Sequence, residues 1–248
     1  MFKQLSAKGF DVLVLHHAEA IMGHDMPDAA QEIEQVLGAL SIPIDELVTG
    51  GGGEALVTQR LRNAFFALGW VKHNFKISKI VDGKETESQS HEIDHVKRFG
   101  DYNCALEIEW NNKDPFYDRD LDTFKRLHLE GAISVGIIIT RGSVLHATLK
   151  NLVENFAINI NAKKFEDFSD YGYAPTSRQK RLISARAERL GFARGWAEAF
   201  VSDKFGQATT HWNKLSDRVD RGVGNPCPLV LIGISEQCVD QNIRSKPF

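Results

Sequence analysis

The sequence has few cysteines, and none of them is paired at a metal-binding spacing. The three that it contains are Cys104, Cys227 and Cys238, and no two of them form a CxxC motif. An odd number of widely separated cysteines excludes a disulfide framework and a cysteine-based structural zinc site. We interpret the three residues as ordinary packing residues.

Long apolar runs are also missing. The short apolar run at 10–16 contains Asp11 and is followed by His16, His17 and Glu19, so neither a signal peptide nor a membrane span is expected. A hydrophobic content of 42% and a charged content of 25% are typical of a soluble globular chain. We expect an intracellular, cytoplasmic protein without a membrane partner.

The sequence has no overall excess of positive charge. Its formal net charge of -3 does not by itself indicate nucleic-acid binding. Basic residues are nevertheless concentrated at 178–194, where six Arg or Lys, including Lys180, Arg181 and Arg186, accompany a single acid. Two interpretations are open for this segment: a face that contacts phosphates, or a solvated helix whose arginines pair with neighbouring acids.

The glycine-rich segment "TGGGG", residues 49–53, lacks the features of a nucleotide-binding loop. The lysine and the hydroxyl residue of the GxxxxGKS/T motif are both absent. We therefore predict a flexible entry to a helix at 54–70.

Helical and strand patterns alternate along the chain, which indicates an α/β protein with a mixed central sheet flanked by helices. The predicted strands lie at 10–16, 71–81, 91–99, 104–110, 132–142 and 227–235. The predicted helices lie at 28–40, 54–70, 121–131, 143–155, 178–204 and 207–220. The polar stretch at 85–90 is predicted to be a loop, and Asp118 or Asp120 is predicted to cap the helix at 121–131.

The segment "HEIDH", residues 91–95, matches the HExxH pattern of zinc proteases. That motif works on a helix, which brings its two histidines onto one face. The flanking residues here favour a strand, in which His91 and His95 point away from Glu92 and Asp94. A zinc protease remains an alternative of a different functional class.

The stretch "ALEIEW", residues 105–110, predicts a strand with an unusual polar face. Leu106, Ile108 and Trp110 share one face, and the other face carries Glu107 and Glu109 side by side. Two neighbouring carboxylates repel each other. Exposed acids on an edge strand, solvated or paired with nearby basic residues, would explain them without any function.

A metal ion offers a second explanation for these acids. If 91–97 and 104–110 are neighbouring antiparallel strands, Asp94 approaches Glu107 and Glu109 across the ladder. Oxygen ligands suit Mg²⁺, which would bind Asp94, Glu107 and the carbonyl of Ile108 while keeping waters for chemistry. Mg²⁺ held in this way is a common means of cleaving phosphodiesters.

The same acids resemble a nuclease signature. Asp94, followed by Glu107-Ile108-Glu109, resembles the PD-(D/E)xK motif in a variant that has an acid in place of the final lysine. The wider run "HEIDHVK…LEIEWNNKDPFYDRDL", followed by "GIIITRG", "THWNKLSDRVDRG" and "CPLVLIGI", resembles the BglII/BstYI family of type II restriction endonucleases, which is related to BamHI. The matching segments span 91–235. The first 70 residues match nothing that we recognise.

This resemblance implies a role for each acid. Asp94 and Glu107 would be metal ligands, and Glu109 would be the general base or a water-positioning group. The spacer between Asp94 and Glu107 is longer than is usual in the family, so Asp101 remains a competing ligand.

The resemblance also implies which residues contact DNA. An amide side chain in a groove can make two hydrogen bonds to adenine. The implied DNA-binding residues are Asn111, Asn112, Lys113, Arg141, Ser143, Lys180, Arg181 and Arg186.

The resulting expectation is a single endonuclease domain over 1–248 with a restriction-endonuclease-like α/β/α core. The catalytic core would occupy about 70–155, and a DNA-binding helical part about 156–248. The enzyme would use Mg²⁺ and act as a homodimer on double-stranded DNA at a short palindrome, with GATC favoured. It would work beside a cognate DNA methyltransferase in a bacterial or archaeal cytoplasm. A repair or junction-resolving nuclease with the same core is the alternative.

Overall fold

A mixed β-sheet forms the centre of the molecule. The computed structural model describes residues 1–51 and 53–243, and six of the strands in this part of the chain form one sheet in the order β1-β7-β6-β5-β4-β3, while β2 and β8 form a separate pair. The strands are β1 (Asp11–Leu15), β2 (Ile42–Pro43), β3 (Val71–Val81), β4 (Lys84–Phe99), β5 (Tyr102–Glu109), β6 (Val135–Arg141), β7 (Leu229–Ile234) and β8 (Val239–Asp240).

The middle of the sheet is parallel and its edges are antiparallel. Strand β6 pairs in parallel with both β5 and β7, whereas β1, β4 and β3 pair with their neighbours in the antiparallel direction. Every residue of β6 and β7 is buried, because a parallel sheet is covered on both faces. Their continuous apolar sequences follow from this position.

Helices cover both faces of the sheet. They are α1 (Lys3–Ala7), α2 (Ala18–His24), α3 (Pro27–Gly38), α4 (Ile44–Val48), α5 (Leu56–Ala67), α6 (Phe116–Leu129), α7 (Ser143–Asn159), α8 (Ser177–Leu190), α9 (Phe192–Lys204) and α10 (Trp212–Asp220). Helices α6 and α10 pack in a core on one face, and α3, α5, α7 and α9 contribute to the core on the other. The predicted α/β class, a mixed sheet flanked by helices, is confirmed. No helix in the described ranges is long and apolar enough to cross a membrane.

The alternation along β5 places its two glutamates on the face that α6 covers. Leu106, Ile108 and Trp110 belong to the larger core on the opposite face, as predicted. Because side chains alternate along a strand, Glu107 and Glu109 point toward α6.

Several predicted element boundaries were wrong; the helix predicted over 207–220, for example, begins only at Trp212. The polar stretch at 85–90 is part of β4, which continues into an exposed hairpin with β3. Helix α6 begins at Phe116 rather than near 121. The helix predicted over 178–204 is interrupted at Gly191, whose φ of 82° is a conformation that favours glycine.

Candidate active site

The site begins where β4 and β5 run side by side. The register that pairs His95 with Leu106 brings Asp94 beside Glu107, and the backbone N–H of Asp94 donates a hydrogen bond to Glu107 Oε1 at 3.3 Å. Strand β4 also contains one extra residue between Ile93 and Val96 relative to β3. This β-bulge redirects the chain at Asp94, and such bulges are frequent beside active sites.

Asp94 and Glu107 differ in exposure. The side chain of Asp94 is 60% exposed, and Lys72 of β3 lies beside it, with Nζ 3.6 Å from Asp94 Oδ1 and 2.7 Å from Glu92 Oε1. Glu107 is only 5% exposed. An exposed pair such as Lys72 and Asp94 contributes little free energy, so Asp94 remains accessible to a ligand.

Helix α6 adds a third buried acid to Glu107 and Glu109. Asp120 is 3% exposed and Glu109 is 2% exposed. Asp120 Oδ1 accepts a hydrogen bond from Arg119 Nε at 2.8 Å, while Asp120 Oδ2 is buried and has no hydrogen-bond partner in the described part of the chain. We call Glu107, Glu109 and Asp120 the buried acid cluster.

Glu109 is held by the loop that follows β5. The side-chain amide of Asn112 donates a hydrogen bond from Nδ2 to Glu109 Oε2 at 2.8 Å. Arg119 Nη2 lies 3.7 Å from Glu109 Oε1 and also contacts Asp120. A single arginine, itself well exposed, therefore faces two buried carboxyl groups.

Burial makes the ionised forms of these acids costly. Burial, together with the nearby carboxylates of Asp120 and Asp94, raises the pKa of Glu107 to about 9. Burial also raises the pKa values of Glu109 and Asp120, and the partial charge compensation by Arg119 does not reverse either change. A cation in this cluster would relieve the repulsion.

The donors present fit Mg²⁺ in kind. Within 1–51 and 53–243, no three His, Cys, Asp or Glu side chains are grouped closely enough to hold a metal ion by themselves. Mg²⁺ usually takes only one or two carboxylates and fills its remaining positions with waters and substrate phosphates. Asp94 and Glu107, beside the unpartnered oxygen of Asp120, offer oxygen ligands of this type.

Open clefts lead to the acids. A cleft of about 830 Å³ is lined by Asp94, Glu109, Asn111 and Asn112 among others, and one of about 420 Å³ is lined by Asp94, Glu107 and Asp120. Arg119 lines both of them. Asp94, the exposed acid, therefore lies where both clefts meet the buried acid cluster.

The comparison with protein families identifies the chain. Residues 10–234 match the family described as restriction endonuclease BglII/BglIII. The chain belongs to this family. The match covers most of the sequence and begins within the first 70 residues, in which no resemblance could be recognised from the sequence. The comparison with curated proteins gave no match.

Family membership gives the activity in general terms. As a restriction endonuclease of the BglII family, the enzyme cleaves double-stranded DNA at specific sites. The predicted resemblance is thereby confirmed at the level of the family.

The structure contradicts the zinc-protease alternative. Residues 91–95 of the endonuclease lie in β4, whereas HExxH requires a helix. His95 packs against Phe65 on the face opposite the buried acid cluster, and the centroids of the His95 and Phe65 rings are 5.9 Å apart. The two histidines of the motif therefore do not form a metal site.

Asp101 lies apart from the other acids. It sits in the turn between β4 and β5, its side chain is 94% exposed, and it pairs with Arg98 at 3.1 Å. The structure therefore favours Asp94 over Asp101 as the neighbour of Glu107.

Arg141 occupies a different place from the predicted DNA-facing one. It is fully buried, and its Nη2 donates hydrogen bonds to Thr209 Oγ1 at 2.7 Å and to the carbonyl of Thr210 at 2.6 Å. Its Nη1 donates to Asn111 Oδ1 at 3.3 Å. Arg141 thus supports the Asn111–Asn112 loop from beneath.

Ser143 is also engaged within the protein. Its backbone N–H and hydroxyl both donate hydrogen bonds to the carboxylate of Asp11, at 2.6 and 2.8 Å. This contact satisfies the first turn of α7. In the described structure Ser143 therefore connects the start of α7 to β1 through hydrogen bonds to Asp11.

The remaining predicted DNA contacts lie at the surface. Lys113 is exposed in the loop after β5, and its backbone forms an isolated antiparallel β-bridge with Thr209. On α8, Lys180 lies over the ring of Phe165 at 5.5 Å, Arg181 is exposed, and Arg186 is half-buried. Their charges are available to a polyanion.

The position of Asp120 among the buried acids was missed from the sequence because the start of α6 was predicted too late. The N-cap of α6 is Pro115, so Asp118 and Asp120 are both inside the helix and neither caps it. With the correct start, Asp120 falls on the apolar stripe of Tyr117, Leu121 and Phe124. A carboxylate on such a stripe is the signal that could have identified it.

Proposed function

We propose that the chain is a Mg²⁺-dependent type II restriction endonuclease with a PD-(D/E)xK site formed by Asp94, Glu107 and Glu109. The observation that carries this proposal is the buried acid cluster beside Asp94, at the junction of two open clefts. Burying ionised carboxylates without a matching cation lowers the stability of the folded protein. A divalent cation explains why they lie together.

Each acid has a distinct role in this proposal. Asp94 and Glu107 would hold Mg²⁺, with the carbonyl of Ile108 as a further ligand. When bound, Mg²⁺ lowers the pKa of a coordinated water and neutralises charge on the phosphate. Glu109, oriented by Asn112, accepts the proton of the attacking water. The water oxygen bonds to phosphorus as the P–O3′ bond breaks, and the departing O3′ takes a proton from solvent water, which leaves a 5′-phosphate and a 3′-hydroxyl.

The larger cleft is suited to the DNA strand. Asn111 and Asn112 line it on the side of the buried acid cluster, where amides can contact base edges. Lys113, Lys180, Arg181 and Arg186 would contact phosphates, and Arg141 and Ser143 would support the contacting loops from within the protein. Phosphate contacts fix position, and base contacts give specificity.

A homodimer matches the expected substrate. A palindrome presents two equivalent scissile phosphates, so two identical sites related by a twofold axis fit it. We propose a short palindrome built around GATC, cleavage that leaves 5′ overhangs, and a cognate methyltransferase that protects the host DNA.

The test is digestion of unmethylated phage DNA. The purified protein is incubated with the DNA in Mg²⁺ or in EDTA, and the ends of the fragments are sequenced. The proposal predicts discrete fragments in Mg²⁺ alone, whose ends share one palindrome and carry 5′ overhangs. Fragment ends without a common sequence would instead support a structure-specific nuclease of the repair or junction-resolving type.

A further inference from the structure

Asp120 is the acid of the cluster that the proposed mechanism leaves without a role. It is the fifth residue of α6 and therefore is not a cap. Its neighbours on the same stripe, Tyr117, Leu121 and Phe124, are fully buried apolar residues. An apolar residue would pack at this position without the cost of burying a carboxylate.

The pairing with Arg119 uses only half of the Asp120 carboxylate. Arg119 contacts Oδ1 and is 59% exposed, so the pair could form at the surface with neither group buried. Oδ2 is buried and accepts no hydrogen bond from any described residue. Asp120 belongs to the wall of the cleft that Asp94 and Glu107 also line.

We propose that Asp120 is a third carboxylate of the metal site, and that its Oδ2 accepts a hydrogen bond from a water molecule bound to the divalent cation held by Asp94 and Glu107. A water-mediated role is consistent with the spacing, because no three acids of the described chain enclose an ion directly. Mg²⁺ retains several waters, and these need acceptors. This inference rests on the proposed function.

The test is calorimetric titration of the whole protein with Mn²⁺, without DNA. Asp120→Asn keeps the volume of the side chain and removes its charge. It is compared with the wild type, with Glu107→Gln, and with Asp122→Asn as a matched control on a residue of the same helix whose side chain is 48% exposed. Asp120→Asn is expected to weaken Mn²⁺ binding about tenfold or more, and Asp122→Asn is expected to leave it unchanged.

The two proposals give separable outcomes. Wild-type affinity in Asp120→Asn together with weak binding in Glu107→Gln would overturn the inference and leave the metal site of the proposed function standing. Unchanged binding in both variants would contradict the metal site itself. Asp120→Glu, which restores a carboxylate, is expected to recover part of the affinity, and failure of this rescue beside a folded Asp120→Asn would count against the water-mediated role.

Discussion

Glu107 illustrates how one buried acid links the site to stability. Because its pKa rises from 4.5 to about 9 on folding, the folded protein binds more protons than the unfolded chain between these values. The free energy of unfolding therefore falls as the pH rises through this window. Below pH 4.5 the two states are both protonated, and the penalty disappears.

The substitution Glu107→Gln removes this penalty. In metal-free buffer at pH 8 it should raise the free energy of unfolding by about 1–3 kcal/mol. Between pH 5 and 9 the free energy of unfolding of the variant should also depend less on pH than that of the wild type. Urea unfolding of both proteins at several pH values measures the effect. A variant with the same pH slope as the wild type would show that Glu107 does not titrate in this range.

Asn112 connects the loop after β5 to Glu109. Asn112→Ala removes the hydrogen bond to Glu109 Oε2, which is worth about 1–2 kcal/mol. We expect the single-turnover cleavage rate at saturating DNA to fall about tenfold, since the general base loses its orientation. If only the DNA affinity changes, Asn112 is a base contact and not a positioning residue.

At the scale of secondary-structure elements, Arg141 ties the end of β6 to the segment before α10. Arg141→Met removes three hydrogen bonds and the packing against the Phe205 ring. We expect the free energy of unfolding to fall by about 2–4 kcal/mol, measured by urea unfolding. Arg181→Met, at an exposed position of α8, is the matched control and should change the free energy of unfolding by less than about 0.5 kcal/mol. A similarly small effect at Arg141 would contradict the supporting role.

Helix α8 presents its basic residues to solvent, since Ile183 is its one buried residue. Replacing Lys180, Arg181 and Arg186 with alanine should weaken binding to any duplex DNA. The slope of log affinity against log salt should also fall, by about one for each phosphate that the variant no longer neutralises. Titrations at several salt concentrations measure this slope. An unchanged slope would place α8 away from the DNA.

The strands were easier to predict than the site because their signals are local. The apolar runs of β6 and β7 and the alternation of β5 follow from burial of one or both faces. The polar residues 85–90 of β4 have no apolar alternation, so no sequence period could reveal that they pair with β3. Asp94 and Glu107 were predicted to lie close together from strand pairing alone.

The contacts of Arg141 and Asp120 depend on tertiary structure. The partners of Arg141 are near residue 210, far away in the sequence, and the burial of Asp120 depends on where α6 begins and which face it packs on the sheet. The family resemblance implied a DNA-facing role for Arg141, whereas its environment gives it an internal one.

At the scale of the whole molecule, the sheet brings together acids from three separate elements. Strand β4 supplies Asp94, strand β5 supplies Glu107 and Glu109, and helix α6 supplies Asp120. The parallel centre of the sheet fixes β5 rigidly, while the clefts leave one side of the acids open. Buried acids beside the exposed Asp94 suit the metal-assisted hydrolysis of DNA that we propose.

The most direct measurement is cleavage of unmethylated phage DNA in Mg²⁺ by the wild type and by Glu107→Gln, with Asp101→Asn as the matched control at an exposed acid. The proposed active site predicts discrete fragments for the wild type and for Asp101→Asn, and at least a hundredfold loss of rate, of the order of 3 kcal/mol, for Glu107→Gln. Wild-type cleavage by folded Glu107→Gln would contradict the assignment of the active site.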